Sequence, residues 1–80
     1  MKCTNYFLFV RERPDRRIIK DEWIIKTIEN PVKVEVQKDG RIRKWSYIEE
    51  MKRYLRVVLL EDGETVHNAF FDRGFRGDVK

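Results

Sequence analysis

The chain has little of what usually marks a specialised site. Its 80 residues include one cysteine, Cys3, and one histidine, His67. A lone cysteine excludes an internal disulfide, and one Cys with one His leaves no His- or Cys-based metal site. No metal and no other cofactor is therefore expected. Two prolines and four glycines are too few for a disordered linker or a collagen-like chain. The glycines at 40, 63, 74 and 77 fall in turns or in the tail, and none belongs to a phosphate-cradling loop. Ser46 is the only serine, so no G-x-S-x-G nucleophile motif exists. Leaving Tyr aside, the longest apolar runs are Phe7–Val10 and Val57–Leu60, far too short to span a bilayer. Met1–Asn5 carries neither the apolar stretch nor the small-residue cleavage site of a signal peptide, so the expectation is a soluble cytoplasmic protein.

Hydrophobic residues at 41% and aromatics at 12% suit a globular chain that closes a core. The length allows one domain, 1–80, with an ordered core over about 5–73 and a tail at 74–80. Eighteen basic against fourteen acidic residues give a net charge of +4. Ten of the eighteen are Arg, the side chain that grips phosphate bidentately and stacks on bases. Each half of the chain carries nine basic and seven acidic residues, so there is no basic tail, and the interspersed acids argue against a protein that coats nucleic acid.

Turn signals divide the chain into elements. Tyr6–Val10 reads equally as a strand or as the buried start of a helix, because five residues do not define a period. Pro14 interrupts the polar segment that follows and permits a short helical turn starting there. Asp21–Glu29 is the clearest helix. Two acids sit in its first turn, Ile24, Ile25 and Ile28 share a face, and Asn30-Pro31 stops it. Val32, Val34 and Val36 then alternate with polar residues as a strand. Asp39-Gly40 predicts a two-residue type I′ hairpin, which sets Val36 against Arg43, Glu35 against Lys44, Val34 against Trp45 and Val32 against Tyr47. Glu49–Lys52 is a loop. Leu55–Leu60 is apolar except at Arg56, as a central strand should be. Asp62-Gly63 predicts a second hairpin that sets Val58 against His67, Arg56 against Ala69 and Tyr54 against Phe71. The fold class expected is α+β, an N-terminal helical segment packed on a four-stranded antiparallel meander. Expected core residues are Trp23, Ile24, Ile28, Val34, Trp45, Leu55, Val57, Leu59 and Phe70.

Two groups of side chains stand out chemically. In the expected register Arg56, His67 and Tyr54 share a sheet face, a set able to position and protonate a scissile phosphodiester. The bland alternative is that His67 is a half-exposed strand residue and Arg56 pairs with an acid such as Glu12 or Asp15. The second group is Arg11, Arg13, Arg16 and Arg17, directly after Tyr6, Phe7 and Phe9, with Arg73 and Arg76 around Phe75 as an extension. Arginines beside aromatics suit single-stranded RNA, where bases stack and phosphates need neutralising. The alternative is a solvated face paired locally to Glu12 and Asp15.

The order of these features resembles a known family. Arg13 and Arg17, the run to Trp23, Asn30-Pro31, then Tyr54-Leu55-Arg56-Val57-Val58 and Ala69-Phe70-Phe71-Asp72-Arg73 are similar to a family of small bacterial proteins of unknown function related to RelE/ParE-type toxins. The resemblance covers roughly residues 6–76. It implies helices on a twisted antiparallel sheet, an RNA-directed toxin-like activity that extends to mRNA cleavage, and RNA, the ribosome and an antitoxin protein as partners. It also implies backbone-holding roles for Arg56, Arg73 and Arg76. Family members often carry a His ahead of the first arginines, where this chain has Phe9 and Val10. The alternative reading is therefore a non-catalytic domain that docks a partner, or itself, through a sheet edge, with Thr65–Phe71 as the expected edge.

Overall fold

The computed structural model describes residues 1–76. Three helices, α1 (Asn5–Val10), α2 (Pro14–Arg17) and α3 (Asp21–Glu29), precede four strands, β1 (Lys33–Val36), β2 (Ile42–Ile48), β3 (Arg53–Leu59) and β4 (Val66–Phe71). The strands form one antiparallel sheet in the order β1-β2-β3-β4. This is the α+β meander the sequence predicts.

Residues 6–10 resolve as helix. Thr4 caps α1, its Oγ1 accepting from the Phe7 amide at 3.1 Å, and Phe7 and Val10, three residues apart, bury one face. Pro14 occupies the first turn of α2, where its missing N–H costs nothing. In α3 the buried stripe is Trp23, Ile24 and Thr27, while Ile28 is half-buried and Ile25 is exposed. The expected Ile24/Ile25/Ile28 face is thus rotated, because Trp23 is the larger apolar side chain and turns inward.

α1 and α3 cover one face of the sheet. There Ile48, Leu55, Val57, Leu59, Val66 and Ala69 meet Phe7, Val10, Ile19, Trp23 and Ile24. Thr27 and Ser46 are the polar members of this interior, joined hydroxyl to hydroxyl at 2.5 Å. Two lysines tie helix to sheet. Lys26 Nζ donates to the Tyr47 carbonyl, and Lys44 Nζ donates to the Ile28 carbonyl at the C-terminal end of α3, each at 2.9 Å.

Both hairpins depart from the expected register, each for a physical reason. The first loop holds three residues, Lys38-Asp39-Gly40, because the Gln37 amide donates to the Arg41 carbonyl at 2.7 Å. Gly40 takes φ +92° but Asp39 does not take a positive φ, so a type I′ turn is not formed. The pairing becomes Lys33 with Trp45, Val34 with Lys44, Glu35 with Arg43 and Val36 with Ile42. A slip of one residue sends side chains to the other face. Val34 and Val36 therefore leave the face of Trp45, and Val34, expected in the core, is exposed.

Near the second turn the expected register holds, with Leu59 opposite Val66. A β-bulge follows. Val58 then pairs with Asn68, Arg56 with Phe70 and Leu55 with Phe71, leaving His67 as the extra residue. The Asp72 amide continues the ladder to the Tyr54 carbonyl at 2.9 Å. This shift turns Ala69 and Phe71 toward the helices, and Phe70 and Asp72 toward the opposite face. Phe70 is accordingly half-buried on the uncovered face instead of lying in the core.

The β4 edge is not free. Residues 2–4 run beside its start, with the Thr4 amide donating to the Val66 carbonyl and the Val66 amide to the Lys2 carbonyl. Arg16 Nη1 closes the next stretch through Asn68 Oδ1 at 2.7 Å. The edge expected at Thr65–Phe71 is thus covered over much of its length, and the open edge is β1.

Candidate functional site: the uncovered face of the sheet

The face turned away from α1 and α3 carries Arg43, Trp45 and Tyr47 from β2, Tyr54, Arg56 and Val58 from β3, and Asn68 and Phe70 from β4. Its centre is one ion pair. Asp72 Oδ2 accepts from Arg56 Nε at 3.0 Å, Arg56 Nη2 at 2.8 Å and Trp45 Nε1 at 2.9 Å, while Oδ1 accepts from the Gly74 amide at 3.0 Å. Burial works to raise the Asp72 pKa. The hydrogen bonds from Trp45 and Arg56, the Arg56 charge and the Gly74 amide outweigh it and hold the carboxyl below its ordinary 3.8. The guanidinium also lies 4.8 Å from the Phe70 ring centroid and 5.5 Å from that of Trp45. The acid expected for Arg56 was Glu12 or Asp15. The bulge at His67 brings Asp72 to it instead.

The segment after β4 is held down. Phe75 stacks on Trp45 with ring centroids 4.7 Å apart and planes within 10°, and meets Tyr54 edge-on at 5.0 Å. The tail expected from residue 74 is thus packed through Phe75, and residues 77–80 lie outside the described residues.

Two depressions flank the ion pair. The first, about 260 Å³, is lined by Tyr6, Gln37, Arg41, Arg43, Arg56, Val58, His67, Asn68 and Phe70. It has three guanidiniums and no carboxylate in its lining. Carboxylates just outside hold each Arg: Asp39 lies 3.7 Å from Arg41, Glu35 lies 3.5 Å from Arg43, and Asp72 holds Arg56. His67 stacks on Tyr6 at 4.9 Å, and its Nδ1 hydrogen-bonds the Thr4 hydroxyl at 3.1 Å. Burial, then the Arg41 charge, lowers the His67 pKa from 6.5, so the ring is neutral at pH 7. The second depression, about 350 Å³, lies where β3 begins and β4 ends, and Lys52, Arg53, Tyr54, Phe71, Asp72, Arg73 and Phe75 line it.

Of the three residues singled out for catalysis, Arg56 and His67 line the first depression and Tyr54 lines the second. The six arginines singled out for RNA are dispersed. Arg11 pairs with Asp21 and lies over Phe7, and Arg13 lies over Phe9. Arg16 is committed to Asn68, Asp15 and Phe70. Arg17 and Arg76 are exposed, and Arg73 lines the second depression. Beside the expected Arg56 the first depression gathers Arg41 and Arg43, and beside the expected Arg73 the second gathers Lys52 and Arg53; these four are not among the expected site residues. One signal for the first pair is a period of two: Arg43, Trp45 and Tyr47 recur along β2 with Arg41 immediately before it, which places them on one face.

Among the described residues no group of three His, Cys, Asp or Glu converges in a way that could hold a metal ion, and no helix is long and apolar enough to cross a membrane. Compared with protein-family models, curated proteins and solved structures, the chain has no significant match.

Proposed function

We propose that the chain binds single-stranded RNA across the uncovered face of its sheet. The observation that carries this reading is the meeting of Arg41, Arg43 and Arg56 with Tyr6, His67 and Phe70 in one depression that has no carboxylate in its lining. Guanidiniums neutralise and grip phosphate, and aromatic rings offer surfaces on which unpaired bases stack. The second depression also sets cations, Lys52, Arg53 and Arg73, beside aromatic rings, Tyr54 and Phe75, with Asp72 in its lining. A backbone crossing from one to the other would pass the Arg56–Asp72 pair.

The narrower form of the proposal is a toxin-type protein of the cytoplasm that acts on mRNA, free or on the ribosome, and is countered by an antitoxin. One observation favours cleavage over binding alone. A neutral His67, its Nδ1 oriented by Thr4, shares a depression with Arg56 and Arg43. A neutral imidazole can take a proton from a ribose 2′-hydroxyl while arginines steady the phosphate.

Titration of labelled single-stranded RNA tests the binding. Affinity should fall steeply with salt, and Arg41→Ala with Arg43→Ala should flatten the log–log salt slope by about 1.4, two phosphate contacts at ~0.7 each. Absence of salt-sensitive binding, or a double variant that binds like the parent, overturns the reading. Incubating the same RNA with and without ribosomes, with His67→Gln as the control, separates cleavage from binding.

A further inference from the structure

β1 is the outer strand of the sheet, and all four of its residues are exposed. Val32, Val34 and Val36 are 52%, 49% and 71% exposed, an unusual cost for three β-branched apolar residues. Val34 and Val36 lie on the side of the sheet that carries α3, because Val34 opposes Lys44 and Lys44 opposes the core residue Val57; Val32 immediately precedes the strand. The backbone is equally unpartnered. The Gln37 amide bonds to Arg41, and in an antiparallel ladder the residues bonded to the neighbour alternate. Lys33, Glu35 and Gln37 therefore turn their backbone groups to β2, and Val34 and Val36 turn theirs to solvent. The opposite edge, β4, is occupied by residues 2–4 and by Arg16.

We infer that two copies of this chain pair through β1, antiparallel, about a two-fold axis at Val34. The strand is complementary to itself in that register. Val34 opposes Val34 of the second copy, Val32 opposes Val36, and Lys33 opposes Glu35, each relation occurring with its reciprocal. One side of the junction is then a patch built on Val34 and Val36 of both copies, and the other carries two Lys–Glu pairs. The two Val34 residues, whose N–H and C=O both face outward, bond each other; the Val32 amide is already given to the Trp45 carbonyl at 2.8 Å, so at each end of the junction a single bond forms, from a Val36 amide to a Val32 carbonyl. Neighbouring registers fail. Shifting by two residues sets Glu35 against Glu35 or Lys33 against Lys33, and like charges directly opposite destabilise a pair.

The axis that relates such strands stands perpendicular to the sheet, so both uncovered faces emerge on the same side. The product is a continuous eight-stranded sheet in which each copy's first depression lies toward one shared surface. The pairing does not depend on that surface binding RNA.

Analytical ultracentrifugation across a concentration series tests the inference. The parent should move from the monomer mass to twice that mass as concentration rises. Lys33→Glu and Glu35→Lys each set like charges opposite one another twice, so each alone should dimerise about tenfold more weakly or worse. An equimolar mixture of the two restores both opposite-charge pairs, so it should dimerise like the parent. Val34→Lys, at an exposed position, places two ammonium groups on the axis and should be monomeric while keeping the parent's circular dichroism. A parent that stays monomeric at every concentration overturns the inference. So does a Val34→Lys dimer, or a mixture that associates no better than its components.

Discussion

Arg56 directs two of its nitrogens at a single oxygen of Asp72, at 3.0 and 2.8 Å, and the Trp45 indole shares that oxygen. The two side chains are 24% and 13% exposed, so the pair is largely withdrawn from water. A guanidinium cannot shed its charge, and removing its acceptor leaves a partly buried cation and an indole N–H without a partner. Asp72→Ala should therefore cost about 2–4 kcal/mol, a little under the range for fully buried pairs. Arg56→Ala should cost about 2 kcal/mol, because Asp72 keeps the Trp45 and Gly74 donors. The double variant should lose at least ~1 kcal/mol less than the sum, since the second change removes a group already orphaned by the first. Urea denaturation of the four proteins measures this. An Arg56→Ala variant within ~0.5 kcal/mol of the parent would remove the pair as a structural element.

The boundaries of α3 were legible because their causes are local. Acids at 21 and 22 and the Asn30-Pro31 stop act over a few residues, and the structure places the helix at Asp21–Glu29 as expected. The site of the first turn was legible too, but its size depends on the sign of one φ angle, at Asp39, which an Asp-Gly pair does not decide. That one angle moved Val34 and Val36 across the sheet. The bulge at His67 left no glycine or proline in the sequence to mark it. That Arg56 needs an acid was readable from its place among Leu55, Val57 and Val58. That the acid is Asp72 was not, because the bulge alone turns Asp72 to the same face. Arg41 and Arg43 are legible in a period-two pattern with Trp45 and Tyr47, whereas the denser run at 11–17 disperses because Arg11 and Arg16 are taken up by Asp21 and Asn68.

Thr27 and Ser46 form the polar contact in an otherwise apolar interior, and the two hydroxyls are not equivalent. Thr27 Oγ1 donates to the Trp23 carbonyl at 2.8 Å, so in the contact with Ser46 it accepts and Ser46 donates. Thr27→Val would leave the Ser46 hydroxyl buried without an acceptor and should cost about 1–3 kcal/mol. Ser46→Ala removes a donor, leaves the Thr27 bond to Trp23 intact, and should cost about 1 kcal/mol. Combining them replaces both partners with apolar groups, so the double variant should be at least as stable as Thr27→Val alone. Thermal or urea unfolding of the set orders the three. A double variant clearly weaker than Thr27→Val would show that Ser46 has an acceptor other than Thr27.

Acid should weaken the fold in two separate windows, each set by a different group. His67 is the first. Its folded pKa lies below 6.5, through burial and then the Arg41 charge. Above 6.5 the ring is neutral in both states and has no effect. As pH falls below 6.5 the unfolded chain takes up a proton that the folded chain resists, and stability drops until pH passes the folded value. The carboxylates follow. Asp72 is held below 3.8 by the Trp45 and Arg56 hydrogen bonds that outweigh its burial, and Asp62 is lowered to about 2 by the Thr65 hydroxyl and the Thr65 and Glu64 amides. Both favour the folded state above 3.8, and that advantage is lost as pH falls through their folded values. Urea midpoints taken between about pH 7.5 and pH 5, above the range where most carboxylates titrate, isolate the histidine. The parent should lose stability across that interval, and His67→Gln should lose markedly less. Equal slopes for the two proteins would mean that the ring at the bulge titrates as freely in the fold as in the unfolded chain.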